Sequence, residues 1–153
     1  MDKKSEVESR FRRVNFEYQM AALKKVKPIL DKTKPTILVV DDEPHIVNLI
    51  KLSLQEDFNV ITANSGHEAI QRASETKPDL ITMDVMMPGM SGFDTVKELK
   101  KHPDTADIPI VFLSAKDKMN DMYAGMKVGG DDYITKPFEP DELNERLKAT
   151  LKK

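Results

Sequence analysis

The sequence predicts an α/β protein: a five-stranded parallel sheet with helices on both faces, preceded by a separate N-terminal helix. From Pro35 onward, short apolar runs rich in β-branched residues alternate with stretches of helical period. Each of the five runs is followed by one such stretch, the order expected of parallel strands joined by crossover helices. Residues 1–35 differ in charge as well as pattern, holding ten Lys/Arg against five Asp/Glu, a balance of +5, whereas the remainder carries −7.

The elements follow in chain order. Ser5 and Glu8 have capping-box spacing, and Val7, Phe11, Val14, Tyr18 and Ala21 step by 4, 3, 4 and 3, which predicts a helix over 5–27 with a heptad seam. Pro28 kinks or ends it, and Lys32–Pro35 is a connector. Docking of the seam on its own domain and self-association through it are both open. The strands are predicted at Thr36–Val40, Asn59–Ala63, Leu80–Met83, Ile108–Leu113 and Asp132–Ile134. The helices are predicted at Pro44–Gln55, Gly66–Glu75, Phe93–Lys101, Asp117–Val128 and Pro140–Leu151. Pro44 and Pro140 suit first helical turns, Ser65 with Glu68 reads as a capping box, and Gly129–Gly130 is a stop signal. The expected division is therefore 1–35, helix and connector, and 36–153, one α/β domain.

Composition removes several classes of function. At 153 residues and 39% apolar, the chain can bury one core without covalent help. It has no cysteine, hence no disulfide, thiolate metal site or cysteine nucleophile. The charged start MDKKSEVESR lacks the apolar stretch of a secretory leader, and no run approaches the roughly 20 apolar residues of a membrane span. A cytoplasmic protein with no membrane partner is expected. The basic N-terminal segment mixes in acidic residues and lacks interleaved aromatics, so a solvated helix is expected there and a nucleic-acid partner is not.

In an open parallel sheet, ligands sit beyond the carboxyl ends of the strands, where strand order reverses. Those ends read Asp41, Asp42 and Glu43 after the first strand, Asp84 after the third, Ser114 and Ala115 after the fourth, and Thr135, Lys136 and Pro137 after the fifth. Clustered carboxylates repel unless a cation lies among them, and oxygen donors without His or Cys favour magnesium over zinc. Asp41, Asp42 and Asp84 thus form a candidate divalent-ion site. Asp84 is the candidate nucleophile for an acyl phosphate, with Lys136 and the Ser114 hydroxyl as donors to phosphoryl oxygens. Singly, each has a plainer reading: a solvated strand end, a surface lysine, a helix-capping hydroxyl. Their placement at the ends of different strands singles them out.

The segments ILVVDDEP (37–44), DLITMDVMMPGMSGFD (79–94), PIVFLSA (109–115) and DDYITKPF (131–138) resemble the signature blocks of response-regulator receiver domains, over about residues 36–153. The resemblance implies a flavodoxin-like fold with strand order 2-1-3-4-5 in a two-component signalling protein. It implies that Asp84 accepts a phosphoryl group from a histidine of a sensor kinase or phosphotransfer protein, in a magnesium-dependent reaction. Asp42, Asp84 and the backbone carbonyl of Met86 would bind the ion directly, Asp41 largely through water, and Lys136 would pair with phosphoryl oxygens. Ser114 and Tyr133 match the switch positions: Ser114 would turn toward the phosphoryl group and Tyr133 inward, remodelling the surface of the fourth helix, fifth strand and fifth helix. A cis Lys136–Pro137 peptide is also implied.

Such a module is not expected to be an enzyme beyond its own phosphorylation and dephosphorylation. Only two lysines follow Leu151, so output is expected through an unidentified downstream protein, a homodimer using the N-terminal helix or the remodelled face, or a larger protein of which this is a piece. A phosphatase using an aspartyl phosphate would want a second carboxylate two residues after Asp84, where Met86 stands. A flavin module would want a Ser/Thr/Gly-rich loop after the first strand, where DDEPH stands. His45, His67 and His102 read as surface residues, and Met83, Met86, Met87 and Met90 as fillers of irregular gaps.

Overall fold

A computed structural model describes residues 30–115 and 119–153. The predicted 5–27 helix with its seam, the Pro28 break and the Asp117 start of the fourth helix lie outside the described residues. Two compact units divide the chain, Met1–Leu30 and Asp31–Lys153, and the second contains the whole sheet.

Five strands alternate with five helices: β1 Thr36–Val40, α1 Pro44–Leu54, β2 Asn59–Ala63, α2 Gly66–Thr76, β3 Leu80–Met83, α3 Gly92–Lys101, β4 Ile110–Ser114, α4 Met119–Lys127, β5 Asp132–Thr135 and α5 Pro140–Leu151. Every pairing is parallel and the order is β2-β1-β3-β4-β5. Every residue of β3 and β4 is buried, so their apolar runs are continuous, as expected of central strands covered on both faces. On one face, Ile37, Val39, Leu80, Val111, Leu113 and Ile134 pack with Ile50 and Leu54 of α1 and Leu143 and Leu147 of α5. Strand alternation sends Leu38, Val40, Ile81, Met83, Ile110 and Phe112, all buried, to the opposite face.

The local signals act as expected at several ends. Ser65 accepts a hydrogen bond from the Glu68 backbone N–H at 3.1 Å, while the Glu68 carboxylate pairs with Arg72 instead of closing the capping box. The Gly130 N–H reaches back to the Gly125 carbonyl at 2.9 Å, and Gly129, at φ +118°, makes the turn that ends α4. The stretch Asp31–Pro35 is stitched to β2: Asn59 Nδ2 donates to the carbonyls of Asp31 at 2.6 Å and Lys34 at 3.0 Å.

The largest boundary correction concerns the fourth strand, which begins at Ile110 and not at Ile108 and runs on through Ser114. Ile108 is buried, yet its N–H donates to the Thr105 carbonyl and its own carbonyl accepts Lys100 Nζ at 3.1 Å, so it closes a turn. Pro109 then lacks an N–H for the ladder. Likewise β5 extends to Thr135, which pairs with Ser114, so both residues end strands and do not follow them.

Candidate functional site

The sheet register decides which side chains meet beyond the strand ends. Val40 of β1 is level with Met83 of β3, so Asp41 and Asp84 leave the sheet side by side. Ser114 is level with Thr135, which delivers Lys136 to the same edge. Because β1 lies between β2 and β3, the chain reverses its direction of travel across the sheet here, which opens a crevice.

Four predicted residues converge in that crevice. One carboxylate oxygen from each of Asp41, Asp42 and Asp84 lies within 4.8 Å of the others. Asp41 is almost fully buried: one oxygen accepts Lys136 Nζ at 2.6 Å and the other the Glu43 backbone N–H at 2.9 Å. Lys136 Nζ also stands 3.6 Å from Asp84 Oδ1, so a single ammonium faces two buried carboxylates. Asp84 is buried and its pKa is pushed up from 3.8 to about 6, first by burial, against the pull of Lys136, with Asp41 and Asp42 adding like-charge repulsion. One lysine does not balance three carboxylates. The oxygen donors, with no His or Cys among them, fit a hard divalent cation such as magnesium.

The remaining predicted residues sit around this centre. Ser114 is fully buried, and its carbonyl accepts the Lys136 N–H at 2.8 Å, which ties the ends of β4 and β5 together. The Lys136–Pro137 peptide is cis. Tyr133 lies inward, 5% exposed, its ring 5.9 Å from that of Phe112. Met86 is 60% exposed, so it departs from the gap-filling role expected of the methionines, which Met83 and Met87 do play. His45, His67 and His102 are all exposed and stay out of the cluster.

Sequence reading passed over two residues near the site. A methyl group on Gly92 would overlap the backbone carbonyl oxygen of Asp84, so only glycine lets the start of α3 lie against the loop after β3, where its N–H donates to the Val85 carbonyl at 2.9 Å. Its position directly after Ser91, the residue whose side chain caps α3, was the available signal. Thr82 precedes Asp84 by two on β3, and its buried hydroxyl has no hydrogen-bond partner. Nothing in the sequence distinguishes it from an ordinary strand threonine.

Comparison with known proteins agrees with this fold. The sequence model of the family described as "Response regulator receiver domain" matches residues 37–148. The "Alkaline phosphatase synthesis transcriptional regulatory protein PhoP" of Bacillus subtilis (strain 168) is 46% identical over 118 residues, which are 76% of this chain and 48% of that protein. A putative response regulator from Chloroflexus aurantiacus J-10-fl superposes with a TM-score of 0.75 at 36% identity, over 78% of this chain and 99% of that one. The receiver domain of a sensor histidine kinase from Pseudomonas aeruginosa PAO1, described with a magnesium ion coordinated in its active site cleft, gives 0.73 at 26% identity, over 78% and 99%. The chain spans about half the length of the curated relatives it matches. Several of these are transcriptional regulatory proteins, so the expectation against a nucleic-acid partner finds no support in them. Among the described residues, no helix is long and apolar enough to cross a membrane.

Proposed function

The chain belongs to the response regulator receiver domain family of two-component signalling proteins, and from that membership we propose that it takes a phosphoryl group from a phosphohistidine onto Asp84. The observation that carries the proposal is the meeting of Asp84 with Asp41, Asp42 and Lys136 at the strand ends. An Asp84 carboxylate oxygen attacks phosphorus, the P–N bond breaks, and the imidazole leaves with the electron pair and takes up a proton. Lys136 releases Asp41 to pair with the transferred oxygens, and the Ser114 hydroxyl turns to donate to them. Asp42, Asp84 and the Met86 carbonyl would hold magnesium directly and Asp41 largely through water, and a cation held there would supply positive charge to offset that of the phosphoryl oxygens. Hydrolysis of the acyl phosphate returns Asp84 to its starting state.

A donor kinase or phosphotransfer protein and a downstream partner complete the reading. The similarity to transcriptional regulators about twice as long supports one form of output, in which this receiver governs a DNA-binding segment of a larger protein. A cytoplasmic location is part of the same reading, drawn from the family membership. The test is labelling of the full chain by a small acyl-phosphate donor with magnesium. Wild type is expected to label and Asp84→Asn to remain unlabelled; a variant that still labels would move the acceptor elsewhere.

A further inference from the structure

The corner between β2 and α2 offers no carboxylate to the acidic cluster, yet it adjoins the crevice on two sides. On one side the Ala63 carbonyl accepts the Asp41 N–H at 3.2 Å, which fastens the corner to the first residue of the cluster. On the other, α2 begins at the buried Gly66, which lies against the start of α3. A methyl group on Gly66 would overlap Thr95 Oγ1 and fall 2.9 Å from Met90 Sδ. Thr95 has little room to yield: it is fully buried, and its hydroxyl donates to the Ser91 carbonyl at 2.8 Å.

Met90 and Ser91 end the loop that begins at Asp84, so bare backbone meets that loop at both ends. Gly92 lies on the Asp84 carbonyl and donates its N–H to the Val85 carbonyl, while Gly66 meets Met90 directly and Ser91 through Thr95. Between these points Val85 and Met87 are buried and Met86 is exposed. A packed segment of this kind passes a displacement along its length instead of absorbing it.

We propose that Gly66 is a positioning residue for the crevice: the side chain it lacks sets how closely α3 and the end of the loop approach α2, and with them where the Met86 carbonyl stands. An alanine at 66 must displace Met90 or Thr95. The unbranched thioether of Met90 can swing aside, whereas the Thr95 hydroxyl moves only by giving up Ser91. Alanine also favours helix more than glycine does, so any loss it causes arises from the contact and not from helix propensity. The consequence for a cation rests on the magnesium reading of the crevice; the hold on the loop does not.

The test is the magnesium affinity of the full chain by calorimetric titration. Gly66→Ala is expected to raise the Kd about tenfold, the scale on which residues that support metal ligands act. In a Thr95→Ala background, where the obstructing oxygen is gone, the same alanine is expected to raise it by less than about threefold, a coupling that general destabilisation would not produce. With divalent ions chelated, amide exchange across residues 85–91 quickens about tenfold in Gly66→Ala while α5 keeps its wild-type rates. A wild-type Kd in Gly66→Ala, or an equal loss in both backgrounds, overturns the proposal. If Gly66→Ala does not fold, Met90→Ala severs the same contact by deletion instead of crowding; a several-fold higher Kd supports the proposal and an unchanged one overturns it. Failure of the magnesium reading looks different: wild type and Asp42→Asn bind the ion equally well. The chelated exchange then decides the hold of Gly66 alone, and unchanged rates across 85–91 overturn it.

Discussion

At the scale of the residue, Asp84 works against the stability of the fold that carries it. Its carboxyl has a pKa of about 6 in the folded chain against 3.8 as an unperturbed group, so folding disfavours the charged form. Above pH 6 the group is ionised in both states and the folded state bears the full penalty; the penalty fades as pH falls through 6 and is gone below about 4. Asp84→Asn, with divalent ions chelated, is therefore expected to stabilise the domain by about 1–3 kcal/mol at pH 7.5. The gain should vanish near pH 4, as urea unfolding at the two pH values would show. A gain independent of pH would mean that burial and repulsion at Asp84 are not its source. This part of the site was legible in the sequence, because Asp41, Asp42, Asp84 and Lys136 declare themselves by type and by position at strand ends. The support was not: Gly92 acts through the methyl group it lacks.

At the scale of the element, the apolar runs and caps gave helix and strand identity, and the errors fell where a side chain serves packing without serving the ladder. Ile108 is apolar and buried, so it reads as strand, but its polar backbone is satisfied by Thr105 and Lys100 and it never enters the sheet. The end of α2 offers a further instance of local chemistry. Lys77 caps it in the left-handed region at φ 48°, ψ 63°, where a β-carbon is crowded and glycine is preferred. Lys77 is exposed and its resolved role is this turn, so Lys77→Gly is expected to raise stability by about 0.5–1 kcal/mol, read as a shift of the chemical-denaturation midpoint. An unchanged or lower midpoint would show that the flexibility glycine adds to the unfolded chain outweighs the relieved strain.

At the scale of the whole molecule, one crevice connects stability to ligand binding, since an ion that binds only the folded chain must also stabilise it. Magnesium at ten times its Kd is expected to add about 1.4 kcal/mol to the unfolding free energy, and Asp42→Asn to lose most of that increment. Thermal unfolding of both proteins across a magnesium series checks this, and an equal response in the variant would place the ion elsewhere. The sequence by itself determined the class of fold, the parallel alternation and the chemical identity of the carboxylates and lysine, because periodicity and residue type are local properties that need no partner to be read. Only the tertiary structure decided that Lys136 rests on Asp41 more closely than on Asp84, that Tyr133 lies inward, and that Gly66 meets Thr95 and Met90 with no side chain of its own between them. Those features depend on the register of strands distant in sequence and on where atoms are missing, and neither is written in the order of the residues.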